Sequence, residues 1–249
     1  AKFGDWEDPQ KVIHYHVEGN VSYTALLFIP SKTPYNFYYS DYEPGLQLYS
    51  KGVFILDKCK DLVPEYYRFV RGLVDSDDLN LNISREMLQQ DRQVKAIAKS
   101  IETKVHNALE DMLKNDRAGY EKFFDNFGLN LKYGVYRDYG VNKEKLQDLI
   151  LFKSSKEDKY VTLKEYADRM PKEQKAIYYA CGSSIEEIKR SPIFAKVIDK
   201  GYEVLYFLDE RDEFFSGIMQ SYADKPFQNI SKGDLDLDTE EEKKAKEET

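Results

Sequence analysis

A chain of 249 residues is long enough for one large domain or two modest ones. With 41% apolar residues, including 20 tyrosines and 14 phenylalanines, it has ample material for globular cores. The net charge of -8 argues against a nucleic-acid binder, which needs a clustered basic face, and no apolar run approaches a membrane span.

Val12 to Glu18 and Val21 to Pro30 read as two strands around a Gly19-Asn20 turn signal. Leu46 to Tyr49 and Val53 to Leu56 read as further short strands. Pro64 to Val70 predicts a short helix with Pro64 in its first turn. Val74 to Asn80 is acidic and rich in turn formers, because Asx and Ser side chains bond to nearby backbone. Ser84 then stands where a helix N-cap belongs. From Ser84 to Lys114, Met87, Leu88, Val94, Ile97, Ile101, Val105, Ala108, Leu109 and Met112 recur at helical spacing. Asp91-Arg92 marks a bend in that reading. Asp116 to Phe127 predicts another helix with Gly128 as its stop, and Leu129 to Leu149 extends the helical region.

Past Leu149 the pattern alternates. Leu149 to Phe152, Ala176 to Ala180 and Val204 to Leu208 read as strands. Thr162 with Glu165, and Ser184 with Glu187, have the spacing of N-terminal caps for two helices. Pro192 interrupts the second, Gly201 stops it, and Glu210 to Met219 predicts a last helix. Strand and helix in turn, with short loops, imply parallel pairing and right-handed crossovers. Residues 231 to 249 are strongly acidic without an aromatic, and read as a linker.

No Walker A loop, Gly-rich dinucleotide turn, HExxH or GxSxG is present, which weakens a self-contained α/β enzyme reading. His14 and His16 share one strand face, but no further zinc ligands stand at a suggestive spacing, so no metal is expected. Cys59 and Cys181 sit in no metal or redox spacing, which fits a reducing cytoplasmic location. Two glycosylation triplets, at Asn82 and Asn229, read as chance without a secretory signal. Ala1-Lys2-Phe3 lacks an initiator Met, so an excised piece of a longer protein is expected. Trp6, in a polar frame, is either tucked onto the body or exposed for a partner, and tucking is the commoner fate of Trp. Phe214 and Phe215 are adjacent on a helix and point about 100° apart, so they cannot both be central in one buried stripe. Arg85 falls in the first turn of its helix, where the macrodipole disfavours a cation. It reads either as a surface or salt-bridge residue or as an anion clamp, for which the guanidinium fork is suited.

Six runs carry a resemblance that spans the chain almost end to end: Asp5-Trp6-Glu7-Asp8-Pro9, Ala25 to Pro30, Val53-Phe54-Ile55, Asp61 to Glu65, Val74 to Leu79, and Leu81-Asn82-Ile83-Ser84-Arg85-Glu86-Met87-Leu88-Gln89-Gln90. Together they resemble the middle domain of the heat shock protein 90 chaperones, in its bacterial form. The resemblance implies an α/β fold of two αβα sandwich segments, larger then smaller, joined by a short helical coil. The expected boundaries are 1–114 for the larger segment, 115–148 for the helical connector, 149–230 for the smaller segment and 231–249 for the linker.

It also implies a place in an ATP-dependent chaperone. The nucleotide pocket, with ATP and magnesium, would lie in an N-terminal ATPase domain outside this fragment, and a dimerisation domain would follow the linker. Partners would be those two domains, non-native client proteins and co-chaperones, with neither nucleic acid nor membrane. The fragment itself would bind no cofactor and hydrolyse no ATP. By resemblance Arg85 would reach the terminal phosphate of ATP, Gln89 would support the loop or the attacking water, and Asn82 would be a third polar support. Phe54 matches an apolar residue packing on the N-terminal domain. Trp6, Glu213 and Phe214 match client-contact positions, with Phe214 standing where related bacterial chains often carry tryptophan. The alternative is a non-catalytic docking scaffold for domains and clients, in which the Arg85 loop is structural.

Overall fold

The computed structural model describes residues 7–79, 91–232 and Leu235. The chain divides into two compact units, Ala1–Leu131 and Lys132–Thr249.

In the first unit, β1 (Lys11–Val17) and β2 (Tyr23–Ile29) form the antiparallel hairpin that the Gly19-Asn20 signal predicts, with Val17 opposite Tyr23. Alternate β2 residues Ala25, Leu27 and Ile29 are fully buried, as period-two geometry requires of a strand with a core face. β3 (Leu46–Ser50) and β4 (Val53–Cys59) make a second hairpin. Its two loop residues, Lys51 and Gly52, have φ of 51° and 74°, the consecutive positive values of a tight primed turn.

β5 (Arg71–Ser76) lies between the hairpins, antiparallel to β2 and parallel to β3, giving the order β1-β2-β5-β3-β4. This corrects the reading of Val74-Asp75-Ser76 as part of a loop; only Asp77 and Asp78 form the turn. The polar Asp75 and Ser76 are strand residues whose side chains bond to neighbouring segments. The expected helix at Pro64 to Val70 is a single 3-10 turn, Glu65–Tyr67, with Pro64 at its N-cap. The chain must straighten there to enter β5.

α1 (Arg92–Asn115) begins at Asp91, whose carboxylate accepts the Gln93 and Val94 amides at 2.7 and 3.0 Å. Asp91-Arg92 is thus the start of α1; the stretch from Ser84 to Gln90, on the other side of the expected bend, lies outside the described residues. Val94, Ile97, Ile101, Val105, Leu109 and Met112 form the buried face of α1. Tyr23 donates to Ser100 Oγ at 2.6 Å and Lys11 pairs with Asp111 at 2.9 Å, fixing α1 to the first hairpin.

α2 (Arg117–Tyr136) runs through Gly128, the predicted stop. A Cβ on Gly128 would stand 2.8 Å from atoms of the Phe124 ring, so glycine serves close packing here and not termination. The Phe69 ring lies 5.1 Å from that of Phe123 and 5.0 Å from that of Phe127. These contacts join α2 to the segment entering β5.

The second unit starts within α2. Short helical turns follow, at Arg137–Gly140, α3 (Lys143–Leu146) and Gln147–Leu149. Then come β6 (Leu151–Ser154), β7 (Tyr160–Thr162), α4 (Leu163–Arg169), β8 (Ile177–Cys181), α5 (Ile185–Lys189), α6 (Pro192–Asp199), β9 (Leu205–Phe207), α7 (Glu210–Met219), β10 (Ser221–Tyr222) and β11 (Lys225–Asn229). Thr162 and Glu165 form the predicted capping box, and Ser184 caps α5 through the Glu187 amide.

The sheet order is β10-β11-β8-β9-β6-β7. β8 and β9 pair in parallel, as the alternating pattern predicts, and the unpredicted β11 adds to β8 in parallel, but β6, expected to be parallel too, is antiparallel to both β9 and β7. Tyr178, Ala180, Val204 and Tyr206 pack with Ile188, Phe194 and Val197 of α5 and α6. Residues of the opposite parity face α7: Phe152 lies 5.2 Å from both Phe207 and Phe215. Helices thus cover both faces, as in an αβα sandwich. Leu235 is partly buried against the α5–α6 core; the rest of the predicted linker beyond Lys232 lies outside the described residues.

Gly72 should be the least replaceable position of the first sheet. Its φ is +136°, and a Cβ there would stand 2.1 Å from the Leu26 carbonyl oxygen. Gly72→Ala is expected to cost about 2–4 kcal/mol in urea denaturation. Gly52→Ala is the control, with φ of +74° and open space around it, and should cost only about 1–2 kcal/mol. Equal costs would rule out close strand approach as the constraint.

Candidate functional site

Arg85, Gln89, Asn82 and Trp6 lie outside the described residues. The structure does describe the point from which the Arg85 segment departs. β5 ends at Ser76, the chain turns at Asp77 and Asp78, and Leu79 is buried. On one side, Ser76 Oγ donates to the Ser22 carbonyl at 2.8 Å and the Asp78 carboxylate accepts the Ser22 amide at 2.6 Å. On the other, the fully buried Ser50 donates its hydroxyl to the Leu79 carbonyl at 2.7 Å. Both oxygens of the Asp75 carboxylate accept the Gly52 amide at 3.1 Å. Charged acceptors make the stronger hydrogen bonds.

Phe54 sits on the same hairpin. Tyr49 pairs with Phe54 across the β3–β4 ladder and with Asp75 across the β3–β5 ladder. The Phe54 ring meets Tyr49 edge-on at 5.6 Å. Even so, Phe54 is 53% exposed and the adjacent Val53 52% exposed, on the edge strand. An anchored chain exit therefore stands beside an exposed apolar edge. Such a surface is suited to docking.

The other predicted pair lies on α7. Phe214 is 66% exposed and Phe215 fully buried, the split their spacing requires. Glu213 is held from three sides: its carboxylate accepts Lys232 Nζ at 3.0 Å, Cys181 Sγ at 3.3 Å and Asn229 Nδ2 at 3.3 Å. The Lys232 and Cys181 hydrogen bonds keep its carboxyl below the usual range. Cys181 is exposed as a residue, but partial burial of its thiol, reinforced by the Glu213 carboxylate, pushes it up to about 12. Next to them, Asp212 is buried and pairs with Lys132 at 2.5 Å. Burial raises the Asp212 pKa despite that partner.

The remaining candidates converge on no chemistry. His14 and His16 are both exposed, and His16 bonds to Thr24 Oγ1 at 2.9 Å. Among the described residues no group of three His, Cys, Asp or Glu side chains is arranged to hold a metal ion. Neither cysteine is in a disulfide. Among the described residues no helix is long and apolar enough to cross a membrane.

A family model described as Hsp90 protein matches residues 1–249. The chain belongs to the Hsp90 family. It is 58% identical over 236 residues to the chaperone protein HtpG of Clostridium botulinum, covering 95% of this chain and 38% of that protein. It is 53% identical over 243 residues to the HtpG of Clostridium perfringens, covering 98% of this chain and 39% of that protein. The chain thus spans well under half the length of these curated relatives. Its fold is similar to that of the middle domain of a Plasmodium falciparum heat shock protein. That match has a TM-score of 0.78 and 30% identity, and covers 93% of this chain and 91% of the other. The chain is an Hsp90-type chaperone middle domain.

The sequence reading of this Hsp90 domain missed Ser50, Asp75, Cys181, Asn229 and Lys232. A polar residue at a strand end gives little local signal, since its partner is fixed by sheet order. Cys181 offers a direct check on the α7 network. At pH 8 an ordinary cysteine is about a quarter thiolate, and a thiol raised well above the usual range is thiolate to a far smaller extent. Alkylation of Cys181 by iodoacetamide should be at least ~10-fold slower than that of a peptide cysteine. Glu213→Gln should speed it several-fold. Cys59 is buried and should not compete. An unchanged rate in Glu213→Gln would remove the carboxylate from the explanation.

Proposed function

We propose that this domain works as the central part of an ATP-driven chaperone, supplying Arg85 to the terminal phosphate of ATP held in a separate N-terminal domain. Support comes first from the run Leu81 to Gln90, which follows directly from the anchored end of β5 beside exposed Phe54. A guanidinium delivered to a transferring phosphoryl group stabilises its developing charge, and such arginines contribute most when held ready in place. Gln89 follows Arg85 by one helical turn in the reading of this segment, and would support the loop or the attacking water; Asn82 would be a further polar support. Phe54 would be the apolar contact with the nucleotide domain. ATP and magnesium are the substrate pair of the full-length protein, not ligands of this domain, and a C-terminal domain would supply dimerisation.

Client binding is assigned to exposed apolar surface, since varied non-native partners need adaptable contacts more than one deep pocket. Phe214 supports this by its exposure. Glu213 would act chiefly by holding α7 through Cys181, Asn229 and Lys232, and Trp6 would add a second aromatic contact.

Arg85→Ala in the full-length protein should lower kcat by roughly 10³-fold, at the lower end for arginine fingers, while nucleotide affinity changes less than about threefold. Steady-state ATPase and equilibrium nucleotide binding read the two effects separately. A loss of affinity equal to the loss of rate would mean that Arg85 binds the ground state. Unchanged turnover per folded molecule, with a lowered melting temperature, would favour the docking-scaffold reading.

A further inference from the structure

We propose that Asp75 and Ser50 are positioning residues for Arg85, making the Phe54 hairpin and the start of the Arg85 segment one mechanical unit. This rests on the function proposed above. Regular pairing already holds β3 to β5, with Tyr49 opposite Asp75 and Ser50 opposite Ser76. The two side-chain bonds reach past that ladder. Asp75 grips the amide of Gly52 at the hairpin tip, and Ser50 grips the carbonyl of Leu79 beyond the turn. A third bond, from the Lys51 amide to the Ser76 carbonyl at 3.3 Å, closes the same corner.

The hairpin loop has only two residues, both committed to positive φ, so its tip has little freedom of its own. A displacement of Phe54, three residues from Lys51, is therefore passed to Gly52, to Asp75 and to the end of β5. Ser50 is the sharper indicator. At a fully buried strand position an apolar residue would pack without a hydroxyl to satisfy, so its polar atom makes sense through the Leu79 carbonyl it serves. An apolar partner seated on Val53 and Phe54 would then set the starting point of the Arg85 segment, linking domain docking to catalysis.

The test uses ATPase of the full-length protein with parallel nucleotide-binding and melting measurements. Asp75→Ala should lower kcat about tenfold per folded molecule, with nucleotide affinity within twofold. Asp75→Asn retains an acceptor oxygen and should recover most of the rate. Phe54→Ala should slow the native protein several-fold, yet add less than twofold in the Asp75→Ala background. Ser50→Ala should behave like Asp75→Ala, and carries the test if the latter fails to fold. Unchanged kcat in both single variants, or strictly multiplicative effects of Phe54→Ala and Asp75→Ala, would overturn the proposal. Arg85→Ala is run alongside. If it is silent, the function proposed above fails and this inference with it. If it is slow while Asp75→Ala and Ser50→Ala are silent, only the positioning role fails.

Discussion

The first unit depends on the close approach of β5 to β2 at Gly72. β5 enters a sheet whose other strands already form two closed hairpins, so it must fit between β2 and β3 along its whole length. At Gly72 the backbone of β2 comes so near that no side chain fits. With β5 in place, Val74 is buried in the core, while Asp75 and Ser76 reach the flanking segments on either side. The segment bearing Arg85 therefore follows the central strand of the sheet. A loop grown from a hairpin tip would have no such anchor.

The second unit solves a different problem. α7 must bury Phe215 on the sheet while leaving Phe214 outward, so its rotation about its own axis has to be fixed. Apolar contact is non-directional and permits some rotation. The Asp212–Lys132 pair and the three bonds to Glu213 supply the direction. A buried ion pair of this sort adds little net stability over an apolar pair, but losing one partner is costly. Its contribution is better described as orientation. The same helix thus carries an exposed aromatic face and the polar locks that keep it exposed.

The elements legible from sequence are those whose signals are local. Thr162 with Glu165 and Ser184 with Glu187 announce helices because cap and amide lie within one turn. The β1–β2 hairpin is legible because its turn and its alternation agree. The end of β5 reads as loop because Asp75 and Ser76 are turn formers by composition and strand residues only by virtue of their neighbours. β10 and β11 escaped for a related reason: Pro226 in a run of five argues against a strand, yet β11 pairs with β8 through Phe227, Gln228 and Asn229. Gly128 has the look of a helix stop until the Phe124 ring is known to need its space. At the candidate sites, the residue types were legible from the motif and the resemblance. The bonds that anchor them were not, because Ser50 to Leu79, Gly52 to Asp75 and Cys181 to Glu213 join residues 23 to 32 positions apart.

In the function proposed above, Arg85 would serve a site in another domain and would face an entropic problem that an arginine within a pocket does not. Its side chain has many rotamers, and a long flexible segment would add backbone freedom that must be lost in each catalytic cycle. Pinning the base of that segment from both sides removes part of this cost before docking occurs. The Ser22 and Gly52 backbone amides and the Ser50 hydroxyl, on the two flanking hairpins, make the hydrogen bonds that do so. Anchoring and reach then divide the work: the sheet fixes where the segment begins, and the residues beyond Leu79 need only span the remaining distance. Proximity gains in catalysis depend on this kind of prior restriction. In the proposed function, β5, the strand hardest to read from sequence, would anchor the segment that carries the most legible motif.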